Sequence, residues 1–257
     1  MVKSLNNLRE KIAHLETGYR PQGSIAPVRL GHAFADTVLN GGLKCGALHE
    51  VFADERNAPA GTAFALALAL RLAAKKILLW VQQDFSATIC GQLSPSGLRE
   101  LGLNPERLIL VRAFDVASAL RAASDALSCN ALGAIVLEPW GEAKIFNLVA
   151  SRRFTLAAAH SGVSMIMLRV ASKPRPSTAE TRWLVESEPS YVEDWGNPVF
   201  SVALVRNRHG RTGCFSMEWS CDERIFREPA HSRIMVSEAS GRPAKTLHTE
   251  KRYKRAG

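Results

Sequence analysis

Short apolar runs separated by segments of helical spacing dominate the first two thirds of the chain. Runs with little polar interruption are typical of strands that a parallel sheet buries on both faces. The predicted strands cover residues 47–52, 76–83, 107–112, 132–138 and 162–170. Between them, the spacing of apolar residues and the helix-forming composition predict helices over residues 63–74, 94–101, 115–127 and 141–159.

The pattern changes after residue 180, where strand-like runs follow one another without helices between them. These runs cover residues 181–186, 199–207 and 212–219, and a polar turn separates the last two, which is typical of a hairpin. The sequence therefore predicts an α/β fold with a mainly parallel twisted sheet, flanking helices and antiparallel C-terminal edge strands.

Both ends of the chain differ from this middle part. Residues 4–16 place apolar side chains at helical spacing, which predicts an amphipathic helix that packs either on its own domain or on a partner. The apolar stripe of this helix, which is the predicted partner interface, consists of Leu5, Leu8, Ile12 and Leu15. Apolar content collapses after residue 228, which predicts a disordered tail. We therefore divide the chain into residues 1–27 (helix and linker), 28–228 (core domain) and 229–257 (basic tail).

Basic charge is concentrated in that tail. The net charge is +9 with a pI near 9.6, and residues 241–257 alone carry six Lys or Arg against one acid. A basic balance favours an acidic partner such as nucleic acid, although net charge by itself does not identify one. The tail is either a solvated end or an electrostatic tether to DNA or an acidic protein surface. The residues predicted to make that contact are Lys251, Arg252, Lys254 and Arg255.

Composition also excludes several classes of protein. No apolar run is long enough to cross a bilayer and the N-terminus lacks a secretory signal, so we expect a cytoplasmic protein without membrane contact. The five cysteines are scattered, without a Cys-x-x-Cys pair or a histidine at ligand spacing. We therefore predict no disulfide scaffold, no metal site and no cofactor.

A strand, a loop and a helix in residues 39–72 occupy the place where a phosphate-binding loop would lie. That loop requires Gly-x-x-x-x-Gly-Lys-Ser/Thr, but no lysine stands between Gly61 and Thr62. Asp54 and Glu55 lie in the loop instead and would repel a phosphate. The pattern predicts that the architecture is present and the nucleotide chemistry is lost.

A family resemblance rests on the same stretch. The residues that carry it are Leu39, Gly41, Gly42, Leu43, Gly46, Glu50 and Val51. Their spacing resembles the start of the core of the bacterial recombinase RecA. With the continuation 47–51 and the missing lysine, the chain is most similar to the ImuA family, RecA-related proteins of bacterial damage-induced mutagenesis cassettes that are also grouped with SulA-like proteins. The resemblance covers roughly residues 28–222.

The resemblance assigns positions to a degenerate nucleotide site. A recombinase carries its catalytic glutamate at the end of the strand predicted over 76–83, where only Asp84, one or two residues late, could act as a base. Glu138 stands where a P-loop protein holds Mg²⁺ through an aspartate. Gly61, Thr62, Asp84 and Glu138 are thus interpreted as remnants of that site.

Arg206 and Arg208 stand where the recombinase has a Lys-Asn-Lys turn, and we predict that they contact nucleic acid or an acidic partner.

The function that this resemblance implies is that of a non-enzymatic accessory factor in SOS-induced translesion DNA synthesis. The implied partners are an error-prone polymerase-like subunit of the same cassette, a damage-induced replicative-type polymerase and the RecA recombinase. Contact with single-stranded DNA is left open. Two alternatives remain: an ATPase with an atypical phosphate loop, in which Arg56 is the only cation, and a SulA-type cell-division inhibitor.

Overall fold

Nine strands form one sheet in the computed structural model, which describes residues 26–142, 144–190 and 196–229. The predicted N-terminal helix, with Leu5, Leu8, Ile12 and Leu15, and the basic tail, with Lys251, Arg252, Lys254 and Arg255, lie outside these residues. The strands are β1 (Leu48–Ala53), β2 (Ile77–Gln83), β3 (Leu108–Ala113), β4 (Leu132–Glu138), β5 (Ser164–Val170), β6 (Thr181–Glu188), β7 (Val199–Asn207), β8 (Gly213–Ser220) and β9 (Ile225–Arg227). The helices are α1 (Ala33–Val38), α2 (Ala58–Ala73), α3 (Asp84–Cys90), α4 (Pro95–Glu100), α5 (Val116–Ala126) and α6 (Leu148–Ser161), with a 3₁₀ turn at Pro105–Arg107.

The sheet order is β3-β2-β4-β5-β1-β6-β7-β8-β9. The six strands from β3 to β6 pair in parallel, whereas β6 to β9 pair antiparallel. Strands β1, β4 and β5 are buried along their whole length, as expected when helices cover both faces of a parallel sheet. The predicted fold class is confirmed.

Two apolar cores lie on the two faces of the sheet. Helix α2 supplies the largest share of the first core and packs against β4 and β5, with Phe64 in contact with Trp183, Phe200 and Phe226. Helices α5 and α6 cover the other face, where Phe154 is one of the buried side chains. The carboxyl ends of the parallel strands, where a ligand site is expected, therefore lie between two layers of helices.

Gly61 has a packing role in α2. A Cβ atom at this position would lie 2.7 Å from the Cβ of Ala53 and 3.3 Å from a methyl carbon of Leu168. The absent side chain lets the first turn of α2 approach β1 and β5 closely.

Two helix boundaries differ from the prediction. Helix α2 begins at Ala58 rather than at residue 63, because Pro59 is tolerated in a first helical turn. Helix α6 begins at Leu148 rather than at residue 141, because the Asn147 side chain caps it by accepting from the N–H groups of Val149 and Ala150. Helices α1 and α3 and strand β9 were not predicted. No helix in the described ranges is both long and apolar enough to cross a membrane.

Candidate functional site

The turn between β1 and α2 is short and closed on itself. It consists of residues 54–57, and Asp54 Oδ1 accepts from the backbone N–H and the side-chain amide of Asn57 at 2.8 and 2.9 Å. The Asn57 side-chain oxygen accepts in turn from the backbone N–H of Ser187 at 2.9 Å. The N–H of Gly61 donates to the carbonyl of Asn57 at 2.8 Å, so it belongs to the helix. Residues expected to lie in a loop are therefore the first turn of α2.

Asp54 and Glu55 lie in the turn between β1 and α2, as the sequence predicts. Both line a cleft of about 650 Å³ at the ends of β1, β5 and β6, together with Glu142, Lys173 and Glu186. Thr62 and Glu138 line a different cleft. The two acids of the turn therefore line a different cleft from Thr62 and Glu138.

Glu138 is buried, with 1% of its surface exposed, and neutral groups hold its carboxylate. Trp80 Nε1 donates to it at 2.8 Å, Gln82 Nε2 lies 3.2 and 3.3 Å from its two oxygens, and Ser86 Oγ donates to it as well. Among the residues that the structure describes, Glu138 has no Lys, Arg or His partner. Sequence reasoning found Glu138 and missed the groups that hold it.

A cleft of about 920 Å³, here called the central cleft, brings part of the predicted site together. Thr62, Gln82 and Glu138 line it. Gly61 instead packs against Ala53. Asp84 begins α3 and pairs with Arg112 at 3.0 Å on the surface, so it does not join the others.

A second buried polar network lies beside β1. Arg182 Nε donates to Glu50 Oε2 at 2.8 Å, and Ser177 Oγ donates to the same oxygen at 2.9 Å. Arg169 lies close by, with its guanidinium carbon 5.3 Å from the centre of the Phe146 ring. Burial lowers the pKa of Arg169, and the negative charge of Glu50 opposes that shift. Glu50, which belongs to the family pattern, thus joins β1 to β6.

His49 is also fully buried and lies next to Glu50 on β1. Its Nδ1 lies 2.8 Å from Thr181 Oγ1 and its Nε2 lies 2.9 Å from the Lys44 carbonyl. Trp183 Nε1 donates to the same threonine oxygen, so that hydroxyl is free to donate to His49. Burial lowers the pKa of His49 to about 4, which keeps the ring neutral near pH 7.

The two arginines of the C-terminal hairpin differ in their surroundings. Arg206 is half-buried, and its Nε donates to the Ala179 carbonyl at 3.1 Å. The Arg208 side chain is exposed, while its backbone N–H donates to the Glu180 carbonyl. Of this pair, Arg208 is therefore the one accessible to a partner.

Comparison with known proteins identifies the fold and the family of this chain. No family model matches the chain. The crystal structure of the RadB recombinase superposes with a TM-score of 0.55 at 18% identity, over 78% of this chain and 99% of RadB, and this likeness shows a RecA-like fold. Protein ImuA from two strains of Caulobacter vibrioides is 33% identical over 192 residues, which are 67% of this chain and 75% of the relative. With that identity and coverage, the chain belongs to the ImuA family.

Proposed function

We propose that this protein is an accessory factor of SOS-induced translesion DNA synthesis that acts through protein contacts, and through DNA contacts where its basic residues allow them, without hydrolysing ATP. The observation that carries the proposed absence of ATP hydrolysis is the closed turn at residues 54–57. The family relationship of this protein to Protein ImuA and its RecA-like fold support the proposed role in translesion DNA synthesis.

A phosphate cradle requires free backbone N–H groups and a cation, and the β1–α2 turn supplies little of either. The Gly61 N–H bonds inside α2, and Pro59 has no N–H to offer. Arg56 is the only cation in the turn. This arrangement supports a protein without a working nucleotide site, and the alternative of an atypical ATPase would require Arg56 to replace the missing lysine.

The state of Glu138 supports the same proposal. A Walker-type carboxylate holds Mg²⁺ through water and the phosphates of the nucleotide. Here the carboxylate already accepts hydrogen bonds from Trp80, Gln82 and Ser86 and is buried. A hydrated ion would have to displace these donors, so Glu138 is better suited to a structural role.

Exposed apolar side chains at the β3 edge support a role in protein contacts. Ile109, Leu110 and Phe114 are exposed on β3 or directly after it, and Phe85 and Ile89 are exposed on α3, which follows β2. Strand β3 is the edge of the sheet in the described part of the chain, and Phe114 is 85% exposed. Large exposed apolar groups near the open edge of a sheet are typical of surfaces that bind another protein.

Two measurements test the proposal. Titration with a fluorescent ATP analogue, with and without Mg²⁺, should give weak binding or none, while micromolar affinity or turnover that Thr62→Ala abolishes would overturn the non-enzymatic part. Binding to the polymerase-like subunit of the same cassette should weaken in Phe85→Asp/Phe114→Asp. The matched control is Val149→Asp/Leu156→Asp, which changes exposed apolar residues of α6. Equal loss in both variants, or no binding by the unaltered protein, would contradict the proposed contact.

A further inference from the structure

The central cleft is acidic in a chain whose net charge is +9. Three carboxylates line it, those of Glu100, Glu138 and Asp222. None of the described residues around the cleft is Lys, Arg or His. Its charge is therefore opposite to that of the whole protein and favours a cationic occupant.

Gln82 adds an unpaired acceptor to this cleft. Its side chain is 1% exposed, and its Nε2 donates to Glu138. Its Oε1 is buried without a hydrogen-bond donor in the described part of the chain. Reversing the amide would place this oxygen against the Glu138 carboxylate, so the present orientation is the favourable one. A ligand that donates a hydrogen bond would complete the site.

The rest of the lining restricts the shape of that ligand. Apolar side chains surround the carboxylates, among them Pro59, Ala63, Leu93, Leu98 and Leu101. A lysine or arginine side chain matches this combination because it has an apolar stem and a cationic head that only donates. A metal ion does not match, since no three His, Cys, Asp or Glu side chains in the described ranges are grouped to hold one.

We propose that the central cleft binds a basic side chain, and that residues 242–255 of the same chain supply it. That segment holds Arg242, Lys245, Lys251, Arg252, Lys254 and Arg255. Cys221 and Asp222 line the cleft just before β9, and the described part of the chain ends at residue 229, two residues after β9.

Chain length permits the contact. Arg242 lies 13 positions after residue 229. Random-coil statistics for 13 chain steps give roughly 20 Å on average, and full extension would give about 45 Å. Tethering also gives the basic residues an effective concentration on the order of millimolar, so that a weak contact is populated. The tail and the cleft are thus complementary in charge and within reach of each other, and this inference does not depend on the function proposed above.

Carbodiimide cross-linking of the full-length protein tests the proposal, because it joins a lysine to a carboxylate only where the two are in contact. Mass spectrometry should find Lys245, Lys251 or Lys254 joined to Glu100 or Asp222. The yield of cross-links to Asp222 should fall severalfold in Glu100→Gln, which removes a neighbouring charge of the cleft and leaves Asp222 reactive. It should be unchanged in the control Asp125→Asn/Glu186→Gln, whose carboxylates are exposed and lie outside the cleft. Cross-links that are absent, or that favour the cleft no more than Asp125 and Glu186, would overturn the proposal.

Two further measurements test whether the basic group in the cleft comes from the tail of the same chain. Mixing isotope-labelled with unlabelled protein distinguishes a contact within one chain from a contact between copies, and cross-links found only between copies would refute the assignment to the same chain. The Trp80 indole N–H resonance, identified with Trp80→Phe, reports on Glu138 because the two groups are hydrogen-bonded. It should shift in the full-length variant Lys245→Glu/Lys251→Glu/Lys254→Glu, and an unchanged resonance would equally refute the assignment.

Discussion

Trp80 Nε1 donates a hydrogen bond of 2.8 Å to the carboxylate of Glu138, joining β2 to the end of β4. The parallel register pairs Gln82 with Glu138, and Trp80 lies two residues earlier on the same face of β2. Both side chains therefore reach one carboxylate, and Ser86 reaches it from α3. Nothing cationic in the described residues offsets this buried group, so its hydrogen bonds must maintain it.

Loss of the indole donor should weaken the fold. We expect Trp80→Phe to lower the free energy of unfolding by about 1–3 kcal/mol, because it removes one donor from a buried carboxylate while keeping most of the ring volume. Urea denaturation measures the change. The control Trp140→Phe alters an indole that is half-buried and makes no hydrogen bond to Glu138. Equal effects of the two substitutions would contradict the role given to the Trp80 contact.

Stability should depend on pH through His49. Its pKa is about 4 in the folded protein and near 6.5 when unfolded, so between these values the unfolded chain binds more protons. The contribution of His49 to the free energy of unfolding is complete above pH 6.5 and is lost as the pH falls toward 4. It amounts to roughly 3 kcal/mol, at 1.36 kcal/mol for each pH unit between the two pKa values. Unfolding measured from pH 7 to pH 4 should show this loss. The slope should shrink in His49→Gln, and an undiminished slope would assign the effect to other groups.

The pair Glu50 and Arg182 should be costly to break on one side only. Arg182→Met leaves the Glu50 carboxylate buried without its cation, and we expect a loss of about 3–5 kcal/mol in the free energy of unfolding. Glu50→Leu/Arg182→Met removes both charges and should be less destabilised than the sum of the two single variants. A double-mutant cycle by urea denaturation measures the difference. Additive effects would show that the two residues do not depend on each other.

The fold was more predictable than the site, and particular residues explain why. The buried strand that ends in Glu138 was predictable because its apolar run and the acid after it are local features of the sequence. The donors that hold Glu138 come from β2 and α3, and their approach depends on the pairing of strands more than 50 residues apart. The sequence has no local signal for such a contact.

The start of α2 was missed for a local reason. Pro59 and Gly61 usually indicate a loop, yet a proline is tolerated in a first helical turn and Gly61 is required for close packing on Ala53. Strand β9 has only three residues and pairs with the end of β8, where Phe226 is buried beside Trp219. Tertiary packing, rather than a periodic pattern, defines both elements.

DNA binding by the basic tail is the last prediction. If Lys251, Arg252, Lys254 and Arg255 contact phosphates, each contact releases a counterion, and with about four contacts log affinity should fall with log salt at a slope of roughly −3 to −4. Tyr253 could add stacking on a base, worth about 1–3 kcal/mol.

The comparison is the full-length protein against a form that ends at residue 240, on single-stranded DNA across a salt series. Arg153→Ala serves as a control on the folded domain, since its side chain is exposed and no DNA contact is predicted for it. If the tail also occupies the central cleft, Glu100→Gln/Asp222→Asn should raise DNA affinity by releasing it. Equal affinities and equal slopes for the full-length and shortened proteins would exclude a DNA contact by the tail.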